Sequence, residues 1–264
     1  MEARAYLKYL RISTRKVKIV LDLIRGKQVD QALVFAFSFS RSHRIIAEEY
    51  IEKKHPYLIG GDIFVVDGKI LLWGLLNCHR DLNVNPLVPV GKSYPLQLEQ
   101  TDAQAVRDTL QEMVDKLGIR SGAMNVELIV DRAGHVWPID VGPRNGGNMI
   151  PDLLGYIFGV DVVELTILTA MGERIVLEAG EGEPFYATHN LHSDRTGSFD
   201  DIDFSEELKP YILRECVYKH PGDSVEYFDN AAKALGILFL KFPDGETMNR
   251  ILTDINSHIA IRLK

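Results

Sequence analysis

The chain has 264 residues, of which 46% are hydrophobic and 25% are charged. This ordinary globular composition excludes a wholly disordered chain and a collagen-like repeat. The apolar stretches, such as residues 70–76 and 234–240, fall far short of the ~20 residues of a membrane-spanning helix, so no membrane partner is expected. Two cysteines are too few for a disulfide framework and no signal-peptide pattern opens the chain, so we expect a cytoplasmic protein.

The net charge of -7 conceals an uneven distribution along the chain. Residues 1–44 carry ten Lys or Arg against three acidic residues, about +7, and the remaining residues carry twenty against thirty-four, about -14. Such asymmetry indicates two parts with different partners. We therefore predict a basic arm over residues 1–43 and an acidic body after it.

The basic arm has the pattern of short helices. After Ser13 and Thr14, apolar residues recur at helical spacing up to a stop at Gly26, and a second short helix is predicted from Asp30. The cations fall largely off the apolar stripe. One interpretation is phosphate contact with RNA, and the other is a solvated helix surface.

The arm also resembles a known family. Residues 11–27, RISTRKVKIVLDLIRGK, continue into VDQAL at residues 29–33, and together they are similar to the start of bacterial large-subunit ribosomal protein twenty-two. The resemblance covers residues 2 to about 36 and stops before that family's long hairpin and the rest of its core. We interpret the arm as a fused or translated-in fragment rather than a working ribosomal protein, and we expect at most weak RNA contact from its cations.

The body begins with alternating strands and helices. A two-residue hairpin turn is predicted at Asp67-Gly68, a proline-rich loop over residues 85–95, and a helix capped by Thr101 and ended by Gly118. The predicted strands are residues 45–51, 57–66, 69–76, 125–130 and 136–141. A glycine-rich loop over residues 142–148 then leads into helices over residues 151–158 and 162–171.

The end of the chain, residues 184–264, has the pattern of short strands with turns. The predicted elements are strands over residues 186–191, 213–218, 225–228, 235–242 and 258–263, a hairpin loop over residues 219–223, and a helix over residues 246–257. His189 and His192 lie three residues apart, and we interpret them as structural residues rather than metal ligands.

Two carboxylates in the body stand inside apolar strands. Glu127 is flanked by Val126 and Leu128, and Asp140 follows Ile139 on the returning strand. If both face one side of the hairpin they can share a divalent cation, since Mg²⁺ prefers oxygen ligands and usually retains waters and substrate phosphates. The other interpretation is a pair of acids on a solvated sheet face.

The loop after the second strand adds groups suited to an anion. Arg144 offers a planar fork of donors to a phosphate oxygen. Gly146 and Gly147 permit close approach of the backbone, whose N–H groups can cradle a phosphate. The hairpin and its loop therefore predict a site for a metal ion and a phosphate.

Four segments of the body resemble the ATP-grasp superfamily, in the order in which its motifs occur. They are IAEEYI at residues 46–51, VDGK at 66–69, NVELIVD at 125–131 and IDVGPRNGGN at 139–148. The similarity is greatest to the carbamoyl-phosphate-synthase-like carboxylate ligases. It implies an α+β fold, with an ATP-grasp C-terminal lobe (an antiparallel sheet with flanking helices) over residues 44–178 and a small β-rich subdomain over residues 179–264.

The same resemblance implies an adenosine site at the start of the body. Glu48, Glu49, Tyr50 and Ile51 match the hinge between the two lobes of the family's nucleotide site. There, backbone groups contact the base and an acidic residue contacts the ribose.

It also implies roles for residues of the hairpin and its loop. Glu127 and Asp140 match the two acidic Mg²⁺ ligands, Arg144 the catalytic arginine that faces the phosphates, and Asn148 a further position at the nucleotide. ATP and Mg²⁺ are thus the implied cofactors.

Two departures from the family pattern affect the expected function. Family members often carry Asn where Gly142 stands, so a second metal ion would need a ligand from Asn145 or Asn148. Residues 1–45 also contain no lysine followed by a Ser/Gly-rich loop, which the family places before the hinge. We therefore expect half of the nucleotide clamp to be missing, unless an N-terminal lobe arrives from another chain.

The resemblance implies a ligase that activates a small-molecule carboxylate as an acyl phosphate, which an amine or similar nucleophile then attacks. Two alternatives remain open. The body is a non-catalytic or vestigial nucleotide-binding module, or the chain binds RNA through its basic arm.

Overall fold

The computed structural model describes residues 33–34, 37–38, 40–42, 44–45, 50–85 and 88–264. The chain forms two compact units, residues 1–51 and residues 52–264. In the first unit, residues 33–34 and 37–38 are helical, in agreement with the short helix predicted from Asp30. The predicted helix that ends at Gly26 lies outside the described residues. So does most of the strand predicted over residues 45–51, whose described members are not in a strand.

The second unit contains eleven strands and four α-helices among its described residues. The strands are β1 (Leu58–Val66), β2 (Lys69–Arg80), β3 (Pro89–Tyr94), β4 (Gly122–Val130), β5 (Val136–Gly142), β6 (Tyr186–Leu191), β7 (Gly197–Phe204), β8 (Ile212–Val217), β9 (Ser224–Val225), β10 (Gly236–Lys241) and β11 (Ile259–Leu263). The helices are α1 (Gln100–Leu117), α2 (Ile150–Phe158), α3 (Val162–Ala170) and α4 (Gly245–Thr253).

One large antiparallel sheet organises this unit. Its eight strands follow the order β5-β4-β1-β2-β3-β6-β10-β8, and a small sheet has the order β11-β7-β9. The predicted α+β class is confirmed. The large sheet runs across residue 178, where a separate β-rich subdomain was expected to begin, because β3 pairs with β6. Residues 52–264 therefore form a single compact unit.

Apolar cores cover both faces of the large sheet. On one face α1 packs Val106, Leu110 and Val114 against strands β1, β2 and β4. Further along the same face, α4 and the small sheet cover β6 and β10. On the other face, α2 packs Leu153 and Leu154 against β1 and β2. This second face is left open toward β5, and the candidate functional residues lie there.

The turns follow the chemistry of their residues. Asp67 and Gly68 have φ values of 49° and 80° and join β1 to β2, as predicted for a two-residue hairpin turn. Gly118, with φ of 66°, ends α1 in the left-handed conformation.

Several predicted boundaries are wrong. Residues 85–95 are not a loop throughout, since β3 occupies the middle of the sheet; Pro89 is tolerated because it is the first residue of that strand. Thr101 does not cap α1, because Glu99 occupies the cap position without a side-chain bond. Residues 219–223 are not a hairpin loop, since β8 and β9 belong to different sheets. The charged strand β7 was not predicted.

Candidate functional site

Glu127 and Asp140 lie directly opposite each other on β4 and β5. Directly opposite residues of an antiparallel pair project from the same face of the sheet. Leu128 pairs with Pro138, so Ile139 is the extra residue of a β-bulge. The side chain of Glu127 is 27% exposed. Asp140, on the edge strand, is exposed and makes no ion pair with any described residue.

The turn between these two strands is held by Asp131. Its carboxylate accepts hydrogen bonds from the indole Nε1 of Trp137 at 2.8 Å and from the backbone N–H groups of Ala133 and His135 at 2.8 and 2.9 Å. These donors, Trp137 first, hold the pKa of Asp131 down to about 2. The hairpin that carries Glu127 and Asp140 is thereby fixed near its tip.

Arg80, the last residue of β2, neutralises Glu127. Its Nη2 donates to Oε1 of Glu127 at 2.7 Å, and the Arg80 side chain is 17% exposed. A charge-assisted bond between half-buried groups restricts the Glu127 carboxylate to one orientation.

Lys92 brings a second cation to the same face. It lies over Gly60, the residue that pairs with Glu127: a Cβ on Gly60 would come within 3.0 Å of Lys92 Nζ and 2.7 Å of Cys78 Sγ. Lys92 Nζ donates to Cys78 Sγ at 2.6 Å. The missing side chain of Gly60 therefore leaves room for a lysine beside the two carboxylates.

Asp62 anchors the glycine-rich loop to the sheet. This buried β1 carboxylate accepts the Gly146 N–H with both oxygens, at 2.9 and 2.8 Å, and the Asn125 amide at 2.8 Å. Burial raises the pKa of Asp62, and the bonds from Gly146 and Asn125 oppose that rise. Sequence reasoning missed Asp62, although an acid within the apolar run of β1 was a signal.

Gly146 has no space for a side chain. A Cβ there would come within 2.7 Å of Asp62 Oδ1 and of Ile150 Cδ1, whereas a Cβ on Gly147 would meet nothing within 4 Å. We expect Gly146→Ala to lower the free energy of unfolding by about 1–3 kcal/mol, since it overpacks this contact. Gly147→Ala is the matched control and should be close to neutral. Equal urea midpoints for the two variants would contradict this role of Asp62.

Arg144 projects on the face of the two carboxylates. Its side chain lies 3.4–3.5 Å from where a Cβ on Gly142 would stand, and Gly142 pairs with Asn125, two residues before Glu127. The exposed guanidinium donates to the Asn145 carbonyl oxygen at 2.9 Å.

The two asparagines of the loop are placed differently. The Asn145 amide oxygen accepts from Thr166 Oγ1 of α3 at 3.1 Å, which engages one of the ligands considered for a second metal ion. Asn148 is exposed, has φ of 53°, and precedes α2.

The predicted adenosine hinge lies only partly within the described residues. Glu48 and Glu49 lie outside the described residues. Tyr50, 82% exposed, and Ile51 belong to the first compact unit. Their predicted contact with adenosine stays a prediction.

Two further properties concern metal and membrane. The described part of the chain contains no group of three or more His, Cys, Asp or Glu side chains placed to hold a metal ion. No single helix there is long and apolar enough to cross a membrane. The two short helices α2 and α3 reach that length and composition only together, with a bend of 111° between them.

Solved structures with the same fold are ligases and related enzymes. Phosphoribosylglycinamide synthetase from Anaerococcus prevotii is 19% identical with a TM-score of 0.69, over 96% of this chain and 68% of that one. L-amino acid ligase from Bacillus licheniformis is 19% identical with a TM-score of 0.69, over 83% of this chain and 54% of that one. A third structure is the biotin carboxylase domain of Hydrogenobacter thermophilus 2-oxoglutarate carboxylase, solved with MgADP, ADP and bicarbonate. It is 15% identical with a TM-score of 0.66, over 89% of this chain and 53% of that one.

The N-terminal stretch has different relatives. Large ribosomal subunit protein uL22 of Thermoanaerobacter sp. (strain X514) is 55% identical over 49 residues, 18% of this chain and 44% of that protein. The uL22 of Clostridium beijerinckii is 42% identical over 82 residues, 27% of this chain and 74% of that protein. A third relative matches a much longer part of the chain than this stretch: the uncharacterized protein y4rH of Sinorhizobium fredii is 26% identical over 162 residues, 61% of this chain and 34% of its own length.

These comparisons concern the fold of the chain and the family of its N-terminal stretch. No protein-family model matches the chain. The structural likeness shows that the chain has the fold of the ATP-grasp ligases. Its N-terminal stretch belongs to the uL22 family of ribosomal proteins. The chain spans less than half the length of the first uL22 relative and about a third of y4rH.

Proposed function

We propose that residues 52–264 form the metal- and phosphate-binding lobe of an ATP-dependent ligase that joins a small-molecule carboxylate to an amine or similar nucleophile. The observation that carries the proposal is the directly opposed pair Glu127 and Asp140 on an open sheet face. The likeness in fold to a synthetase, a ligase and a carboxylase solved with MgADP supports it.

The residues of this face fit Mg²⁺ together with a nucleotide. Mg²⁺ usually takes one or two carboxylates from a protein and fills its other positions with waters and substrate phosphates. Glu127 and Asp140 supply such a pair, and the open space at Gly147 leaves the loop backbone accessible to a phosphate. With only two carboxylates, the metal ion should bind with the nucleotide rather than before it.

Each residue then has a distinct task. Bound ATP would supply the phosphoryl group that activates the carboxylate substrate, and Mg²⁺ would neutralise charge on the phosphates. Glu127 and Asp140 would hold the metal ion, and Arg144 would contact the oxygens of the phosphate. Arg80 would keep the Glu127 carboxylate in one orientation, and Lys92 places positive charge on the same face, suited to orienting a carboxylate. In such phosphoryl chemistry the protein contributes mainly positioning and charge neutralisation.

Isothermal titration with ATP tests the proposal. We expect heat of binding in millimolar Mg²⁺ and its loss in EDTA. A further assay for ATP turnover with mixed carboxylates and amines separates a competent ligase from a non-catalytic module, which would bind nucleotide weakly and form no acyl amide. Absence of Mg²⁺-dependent nucleotide binding would refute the proposal.

RNA binding by the basic arm is a second candidate function, favoured by the similarity of that stretch to uL22. We expect RNA affinity that falls steeply as salt rises, because lysines and arginines release counterions when they contact phosphates. Deleting residues 1–36 should abolish it in a filter-binding or fluorescence-anisotropy titration. Equal affinity before and after the deletion would exclude this function.

A further inference from the structure

A cavity of about 400 Å³ lies on the face of the large sheet opposite Glu127 and Asp140. His189 on β6, which lines the cavity, pairs with Leu238, a member of the apolar cluster packed by α4. Its neighbour Thr188 pairs with Lys92 and therefore projects from the other face, where Lys92 lies. Since adjacent residues of a strand point to opposite faces, the cavity is separated from the candidate metal site by the sheet itself.

The floor of the cavity is a rigid polar cluster. Asp81 accepts hydrogen bonds from His192 Nε2 at 2.9 Å, from the Asn256 amide at 2.7 Å and from the Asn83 N–H at 2.8 Å. His192 Nδ1 lies 2.6 Å from the carbonyl oxygen of Asn190, so both ring nitrogens face acceptors. His192 therefore links the Asp81 carboxylate to the backbone of β6.

The remaining wall adds no net charge. Burial and the neighbouring His192 lower the pKa of His189 to about 3, so this ring is neutral at physiological pH. Leu191, Ile259 and Ile261 contribute apolar surface. The volume falls within the range of roughly 300–1,000 Å³ that is usual for small-molecule sites.

Two exposed residues of opposite charge, Asp194 and Arg195, complete the lining. Neither side chain makes an ion pair or hydrogen bond with another residue in the described ranges. Adjacent opposite charges disfavour a ligand of a single sign, since whichever charge it carries is repelled by one of them. They suit a ligand that carries both.

We propose that this cavity binds a free α-amino acid with an aliphatic side chain. Arg195 would take the carboxylate, Asp194 the ammonium group, and Leu191, Ile259 and Ile261 the side chain. Arginine forms paired hydrogen bonds with carboxylates, which provides both strength and orientation. The proposal does not rest on the nucleotide site, which lies on the other face.

Three probes with one carbon skeleton test the proposal on the full chain, in EDTA and without nucleotide. L-leucine carries both charges, 4-methylpentanoate lacks the ammonium group, and 3-methylbutan-1-amine lacks the carboxylate. In isothermal titration we expect L-leucine to bind about tenfold or more tightly than either single-charge probe. Equal binding of the three probes, or no binding of L-leucine, would overturn the proposal whatever the outcome with ATP.

Matched variants locate the site. Arg195→Gln should weaken L-leucine binding about tenfold or more and leave the binding of 3-methylbutan-1-amine unchanged. Asp194→Asn should weaken the binding of 3-methylbutan-1-amine and leave the binding of 4-methylpentanoate unchanged. Arg174→Gln removes an exposed arginine outside the cavity and serves as the control. L-leucine binding that persists in both Arg195→Gln and Asp194→Asn would place the ligand elsewhere and refute the assignment.

Discussion

Asp140→Asn is expected to weaken Mg²⁺-dependent binding of ATP by on the order of 100-fold, while any binding measured in EDTA stays unchanged. The substitution keeps the shape of the side chain and removes the charge that would hold the metal ion. Asp140 is exposed on the edge strand and forms no ion pair within the described ranges, so the fold should tolerate the change. Isothermal titration with ATP, with and without Mg²⁺, measures the effect.

Glu127→Gln is expected to act in the same direction. It also weakens the bond to Arg80, since a neutral amide oxygen is a poorer acceptor for a guanidinium. Glu178→Gln, a change at an exposed acid outside the hairpin, is the control. If both site variants bind MgATP as the unmodified chain does, with native circular dichroism, the two carboxylates are not the metal ligands.

Acid should destabilise the protein at pH values well above the range in which carboxylates usually titrate. Burial, and then Lys92, lower the pKa of His79 to about 4, and burial with His192 lowers that of His189 to about 3. Both rings titrate near 6.5 when the chain is unfolded. Between these values the unfolded chain binds protons that the folded chain rejects. The stability is therefore complete above about pH 6.5 and is lost progressively as the pH falls toward 4.

At each of these two histidines, proton binding by the unfolded chain should lower the free energy of unfolding by about 2 kcal/mol between about pH 7 and about pH 5. Urea denaturation at the two pH values measures the loss. In His189→Gln the loss should shrink by about the share of one ring, whereas His220→Gln, at an exposed histidine, should leave it unchanged. An unmodified chain equally stable at both pH values, or a His189→Gln variant with the full loss, would contradict the assignment.

Much of the hairpin was predictable from local pattern. Apolar neighbours placed Glu127 and Asp140 inside two successive predicted strands. Once the pairing of the two strands is known, antiparallel geometry places both carboxylates on the same face of the sheet. Arg144 could likewise be placed near them, since it is the second residue after the strand that carries Asp140.

The partners of these residues were not predictable, because they come from distant parts of the chain. Arg80 reaches Glu127 across 47 positions, and Asp62 holds Gly146 across 84. Such contacts depend on strand order in the sheet, which no local pattern specifies. β3 was not predicted because prolines in this stretch are typical of a loop. Pro89 stands at the first position of the strand, where no backbone hydrogen bond to the neighbouring strand is required.

The composition of the chain is that of an acidic globular protein with a basic N-terminal arm. The sequence by itself determined that division and the hairpin, because charge, periodicity and turn residues act over a few neighbouring positions. Resemblance to known families implied the α+β class and the uL22-like stretch. Only the tertiary structure decided that one eight-stranded sheet joins the expected lobe to the expected subdomain. The same sheet puts the carboxylate pair on one face and the histidine-lined cavity on the other, because adjacent strand residues must point in opposite directions.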